Sequence, residues 1–210
     1  MKLYYATGSS SLFPHIVLHE AGLPFESIKI DEHTKEIIGG GDYRRVNPLG
    51  TVPALALDDG AVITEGAVIA QYVADLVPEK QLAPSNGTME RVRLQSWLNF
   101  FSSDMHKGGF SPLFYTALPK ECEGVFRDKL KARFMHLDQH LVSNRYLMGD
   151  TYTIADTHLF VISNWASWTD FDLSPYPAVL SFRERVSSRP AVIAALTTEG
   201  LVPWPATQPH

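Results

Sequence analysis

The stretch 51–68, TVPALALDDGAVITEGAV, constrains this chain more than any other. Residues 52–57 alternate β-branched and aliphatic side chains, Asp58-Asp59-Gly60 supplies an Asp-Gly turn, and 61–63 resume an apolar strand, which predicts a β-hairpin. Thr64 is then expected to cap a helix that begins at Glu65 and carries Val68, Ile69, Tyr72, Val73 and Leu76 at helical spacing. Two details go beyond a hairpin and a helix. Pro53 stands second in its strand, where it cannot donate to a ladder, so it implies an edge, a bulge or a cis peptide bond. Glu65 stands where a helix N-terminus offers uncommitted N–H groups and partial positive charge. An amino-acid end group suits both, with its carboxylate on the Gly66 amide and its ammonium on Glu65. A purely structural reading, in which Pro53 starts a strand and Glu65 favours the helix dipole, fits the same residues.

The 210 residues allow one or two domains with ample chain for a core. A hydrophobic fraction of 45% and a charged fraction of 20% are those of a soluble globular protein. The net charge of -5, with lysines and arginines scattered, provides no basic stripe, so nucleic acid is not an expected partner. MKLYYATGSS holds no signal-type apolar run and the helix after Thr64 is too short to span a bilayer, so no membrane association is expected. The single cysteine, Cys122, excludes an internal disulfide framework and a CxxC site. The expected compartment is the cytoplasm.

Residues 2–5 predict a strand, Gly8-Ser9-Ser10-Ser11 a turn, and 12–21 a helix with Pro14 in its first turn. After the Gly22-Leu23-Pro24 stop, 25–30 alternate as a second strand. The connection 31–50, with Gly39-Gly40-Gly41 and Asn47-Pro48, predicts a loop with one helical turn near 43–46. The first part therefore runs β-α-β, connection, β-β-α. The segment 77–87, VPEKQLAPSNG, has the composition of a linker. Beyond it the periodicity is helical over 89–107, 124–141, 154–168, 179–187 and 191–196. The expected organisation is a first domain over 1–78, a linker over 79–87, an all-helical domain over 88–201 and a Pro-rich tail over 202–210 around Trp204. Thr153 and Asp156 have capping-box spacing. His15 and His19 lie one helical turn apart with Glu20 alongside, but no third ligand stands at sensible spacing, so no metal site is expected.

Several short motifs recur together in order: MKLYYATG with Ser11, Asn47-Pro48-x-Gly50, Val52-Pro53-Ala54-Leu55, Asp58-Asp59-Gly60 and Thr64-Glu65-Gly66 with Gln71-Tyr72. They continue with Trp97-Leu98-Asn99, His106-Lys107-Gly108 and Thr153-Ile154-Ala155-Asp156. With these motifs the chain resembles the cytosolic glutathione transferases along nearly its whole length, and the bacterial beta class most closely. The resemblance implies an α/β plus all-α fold, with a thioredoxin-like domain (β-α-β-α-β-β-α) followed by a helical C-terminal domain. It also implies glutathione as co-substrate, a hydrophobic electrophile as the other substrate, a role in detoxification, and a C2 homodimer.

By the same resemblance Pro53 is cis, and Thr51, Val52 and Pro53 face the cysteinyl part of glutathione, Val52 pairing with it as an added strand. Glu65 and Gly66 hold the γ-glutamyl end, Lys35 lies near the glycyl carboxylate, and Asn99, Ser103 and Asp104 reach across the dimer toward the glutamyl group. Activating glutathione means stabilising its thiolate, because a thiol near pKa 8.5 is mostly protonated at neutral pH. Candidates for that work are Tyr5, Ser9, Ser10 and Ser11 around the start of the first helix, and His106 with Lys107, a cation or imidazole donor lowering a nearby thiol pKa. Capping of the first helix is the alternative use of the serines, and a solvated helix end that of His106 and Lys107. Phe110, Phe114, Tyr115, Trp165 and Trp168 are candidates for the electrophile pocket, with core packing as the alternative.

The beta class carries a cysteine where this chain has Ser10. A mixed disulfide with glutathione at this position is therefore excluded, while a hydrogen bond from Ser10 or Ser11 to the thiolate is not. The expected function is glutathione transfer to electrophilic carbon. The alternatives are a glutathione-binding or ligand-carrier protein with little turnover, and a glutathione-dependent reductase or lyase.

Overall fold

The structure is a computed structural model that describes residues 1–114 and 119–202; the expectations placed on Tyr115 and on the tail beyond Val202 lie outside the described residues. The chain divides into two units, one of Met1–Ala83 with the last helix, the other within Pro84–Ser188.

The first unit is a four-stranded mixed sheet in the order β2-β1-β3-β4, formed by β1 (Lys2–Tyr5), β2 (Glu26–Lys29), β3 (Ala54–Ala56) and β4 (Val62–Thr64). β1 runs parallel to β2 and antiparallel to β3, which in turn pairs antiparallel with β4. Successive side chains of a strand point to opposite faces. Tyr5 accordingly lays its ring on His15 of α1 (Leu12–Ala21), whereas Tyr4 joins Ile30, Tyr43 and Ala54 in a separate apolar cluster. The hairpin closes as its Asp-Gly turn predicts. Asp59 accepts the Ala61 N–H at 2.9 Å, and Gly60 takes a φ of 89° that few side chains tolerate.

Two local expectations change. The β3 ladder begins at Ala54, so Val52 and Pro53 precede it. Thr64 is the last residue of β4, and the N-cap of α2 (Gly66–Leu76) is Glu65, at φ 67°. The strand claims Thr64 for its ladder, which leaves its neighbour to turn the chain. Between β2 and β3 the expected helical turn is 3-10, Tyr43–Arg45, and Asp42 caps it by accepting the Arg44 N–H at 3.0 Å.

In the second unit α3 (Met89–Asn99) starts at Thr88, whose hydroxyl accepts the Arg91 N–H at 3.1 Å. The helix expected over 89–107 then changes pitch. Phe100–Phe110 is π-helical, and α4 (Ser111–Leu113) follows. α5 (Lys120–Ser143), α6 (Ile154–Trp168) and α7 (Pro177–Ser187) complete this unit around Leu98, Phe101, Phe134, Leu137, Phe160 and Phe182, all buried. Thr153 and Asp156 form the capping box of α6.

α8 (Pro190–Glu199) packs on α1 and belongs to the first unit, although its helical period had grouped it with the 88–201 domain. Its apolar face, Val192, Ala195 and Leu196, is buried, and at the α8 N-cap Arg189 grips Glu20 of α1 through two contacts of 2.5 and 2.9 Å. Periodicity identifies a helix but not the surface it covers.

Candidate functional site

In the first unit three segments far apart in sequence converge: the 8–11 turn, the 51–53 loop and the start of α2. The turn is closed by Ser11, whose Oγ accepts the Ala6 N–H and donates to the Ala6 carbonyl, both at 3.1 Å, and meets Ser9 Oγ at 2.7 Å. Ser11 is fully buried. It is therefore withdrawn from the candidate thiolate donors, because its hydroxyl is spent on the loop that presents its neighbours. Ser10 is half-buried, and its Oγ donates to the Val52 carbonyl at 3.3 Å.

The Val52–Pro53 peptide bond is cis. The loop before it hangs from the Thr51 carbonyl, which accepts from Tyr43 Oη and Asn47 Nδ2, each at 2.7 Å. Tyr43 is fully buried and its phenol is pushed up to about 12 by that burial, so it stays a donor at any ordinary pH. The sequence signalled the Asn47-Pro48-x-Gly50 element without giving its purpose, and it gave no sign that Tyr43 shares it. Lys35, at φ 64°, runs its methylenes beside Gly50, where an added Cβ would meet them at 3.5 Å. Gly66 stands where a Cβ would touch Phe13 at 3.5 Å, Pro53 at 3.6 Å and Pro14 at 3.7 Å. The N-terminus of α2 thus abuts both the cis proline and the start of α1. At that terminus the N–H groups of Gly66 and Ala67 have no intrahelical acceptor, and the exposed Glu65 stands beside them.

Tyr5 takes another place. It is buried with its ring 5.3 Å from His15, and burial followed by the Glu199 charge raises its phenol. It faces α1 and is corrected from thiolate partner to core. Around it runs a chain of polar contacts: Ser27 Oγ to His15 Nε2 at 3.1 Å, His15 Nδ1 to Glu199 Oε1 at 2.8 Å, and the Gly8 N–H to Glu199 Oε2 at 2.8 Å. Sequence reasoning missed Glu199 altogether. Its signal was the one charged residue of an otherwise uncharged helix, standing just before Gly200.

In the second unit His106 lies on the π-helical segment with its ring 4.7 Å from that of Trp165. Burial, then the neighbouring Lys107 charge, pushes the imidazole down to about 4, so at neutral pH it is a neutral donor or acceptor and not a cation. Lys107 is exposed. Asn99 and Ser103 are exposed, and the Ser103 hydroxyl donates to the Asn99 carbonyl at 2.8 Å. Asp104 pairs with Lys129 and Arg133 of its own chain at 2.5 and 2.6 Å. Among the pocket candidates Phe110 is fully buried between Phe134, Trp165 and Phe171 and is core. Trp165 is buried, whereas Phe114, packed edge-on against it at 6.1 Å, is 42% exposed. Trp168 is 52% exposed at the end of α6.

Comparison with known proteins matches residues 11–76 to the glutathione S-transferase N-terminal domain and 103–199 to the C-terminal domain. The glutathione S-transferase GstA of Escherichia coli O157:H7 is 39% identical, spanning 96% of this chain and all of the relative. Among solved structures, BphK, a bacterial transferase seen in a ternary complex, is 50% identical with a TM-score of 0.93. The match covers 96% of this chain and all of that one. A sphingomonad glutathione S-transferase complexed with glutathione is 39% identical, with a TM-score of 0.92 and the same coverage.

Proposed function

This chain belongs to the glutathione S-transferase family, and we propose that its first unit binds glutathione on the 51–53 loop and the N-terminus of α2, with Ser10 as the hydroxyl donor to the sulfur. It is an enzyme that joins the glutathione thiolate to electrophilic hydrophobic compounds. What supports the site is the half-buried Ser10 hydroxyl 3.3 Å from the Val52 carbonyl: its single proton goes to that carbonyl here, and on binding it turns to the sulfur while the carbonyl accepts from the cysteinyl group pairing as an added strand. Glu65 then receives the γ-glutamyl ammonium, the Gly66 and Ala67 N–H groups its carboxylate, and Lys35 the glycyl carboxylate. Thr51 and Ser9 complete the contact.

In the reaction the thiol proton leaves to solvent, the sulfur lone pair forms the C–S bond, and the leaving group departs with its bonding pair. The protein contributes thiolate stabilisation and proximity. His106 acts on the sulfur as a neutral imidazole donor, Lys107 adds positive potential, and Phe114 with Trp165 and Trp168 takes the electrophile. Ser10 cannot form a disulfide, so thiol–disulfide exchange is not carried by this residue.

We assign the protein to the cytoplasm and to detoxification, and to a C2 homodimer. Asn99 and Ser103 are then the exposed polar groups available to the partner.

Titration of the thiolate absorbance of bound glutathione, beside turnover of a chloronitroaromatic, tests the reading. Ser10→Ala is expected to raise the bound thiol pKa by about one unit and lower turnover about tenfold. Glu65→Ala is expected to weaken retention on immobilised glutathione. Tight binding with no turnover of any such electrophile would favour the ligand carrier instead.

A further inference from the structure

Asp104 and Gly108 flank His106 on the π-helical segment, two residues before it and two after, and both meet the same lysine of α5. Asp104 Oδ1 lies 2.5 Å from Lys129 Nζ, and its Oδ2 lies 2.6 Å from Arg133 Nε. Both carboxylate oxygens are thus engaged within the chain, and the hydrogen bonds from Arg133, then Lys129, hold the carboxyl below its usual range. Across from it, a Cβ at Gly108 would stand 2.6 Å from Lys129 Nζ and 3.0 Å from the Ser103 carbonyl oxygen. The ammonium therefore occupies the space that any side chain at 108 would need. Gly109 repeats the fit one residue on, where a Cβ would come within 2.8 Å of Leu130 Cδ2.

A π-helix is rare and runs mostly as a single turn, so an extended one needs tertiary holds. Here those holds lie on α5, while on its other side the segment rests the His106 ring 4.7 Å from Trp165 of α6. Among the described residues, Lys107 on its own segment and His158 on α6 are the further titratable groups whose charges couple to His106.

We infer that Asp104 is a positioning residue for His106: its ion pairs with Lys129 and Arg133, closed over Gly108, fix the π-helical register that lays the imidazole on Trp165. This reassigns Asp104 from contact with the glutamyl group, and it rests on the reading of His106 as a donor to the sulfur. A carboxylate carrying two cations of its own chain has little left for an ammonium, whereas its removal releases the segment two residues from the imidazole.

The test uses the full-length protein with Asp104→Asn, the conservative Asp104→Glu, and Gly108→Ala, which keeps all three charged groups but displaces the ammonium. Three quantities are read: the His106 titration by NMR, the thiol pKa of bound glutathione, and kcat against KM for glutathione. Asp104→Asn and Gly108→Ala are expected to move the His106 titration up from about 4 toward its ordinary 6.5. They should also lower kcat about tenfold with KM nearly unchanged, as a small misplacement of a catalytic group does. Asp104→Glu should restore most of both. A wild-type His106 titration in Asp104→Asn, or a raised KM with kcat intact, would overturn the inference. A moved His106 titration with the thiol pKa unaltered in both Asp104→Asn and His106→Ala would uphold the latch and defeat the role of His106 at the sulfur. Should Asp104→Asn not fold, Gly108→Ala carries the same outcomes.

Discussion

Glu199 holds two groups at once, the His15 ring through one carboxylate oxygen and the Gly8 N–H through the other, and both it and His15 have fully buried side chains. Removing a buried partner costs more than the contact was worth, because the group left behind loses its water as well as its bond. Glu199→Ala is therefore expected to destabilise the fold by about 3 kcal/mol in urea unfolding, with Glu199→Gln costing less because an amide oxygen can still accept. A loss within 0.5 kcal/mol, the scale of a surface change, would mean that the network contributes nothing. At this scale the sequence was uneven. It offered Glu65 and Gly66 as candidates from a local motif and Lys35 only through the family resemblance, but it could not separate Ser10 from Ser11, since the direction of a hydroxyl depends on how the turn folds back to Ala6.

The element that departs furthest from its sequence pattern is the π-helical segment. The apolar positions Phe101, Met105 and Phe110 keep a roughly helical spacing that reads as a continuation of α3. The wider turn goes with a close approach to α5, which the Gly108-Gly109 pair permits. Gly109→Ala would raise helix propensity, yet its methyl would stand 2.8 Å from the buried Leu130 and 3.2 Å from the Asp104 carbonyl oxygen. The expected net effect is a loss of about 1–3 kcal/mol from overpacking, measured by thermal or urea unfolding. A stabilised Gly109→Ala would show that α-helical pitch is the relaxed state of this segment.

For the whole molecule, buried titratable groups set opposing responses to pH. His106 and His158 are depressed by burial from 6.5 to about 4 and about 3, so between those values and 6.5 the unfolded chain binds more protons than the folded one. Their contribution is fully present above 6.5 and is lost as pH falls. Asp156 runs the other way. Burial pushes it up to about 7 against the hydrogen bonds it accepts from Leu147 and Thr153, so its contribution is present at low pH and is lost as pH rises through 7. His19, lowered by burial and then by the His15 charge, acts with them just below 6.5, so the depressed histidines outweigh Asp156 and leave a net rise in stability from pH 4 to 6.5, with a shallow maximum near the upper end. Urea midpoints across this range check it. Asp156→Asn should steepen the rise, and a flat profile in both proteins would refute the opposition.

What the sequence by itself determined is what short-range physics writes: the alternation and Asp-Gly turn of the hairpin, the capping box of α6, the order of strands and helices, and through its ordered motifs the family. What only the tertiary structure decided is what depends on close approach between distant segments. It placed α8 on α1, turned Tyr5, Ser11 and Phe110 inward, neutralised His106, and paired Asp104 with α5. Propensity and periodicity act within a few residues along the chain. Burial, desolvation and ion pairing depend on which surfaces meet, and one strand or helix pattern is compatible with several such meetings.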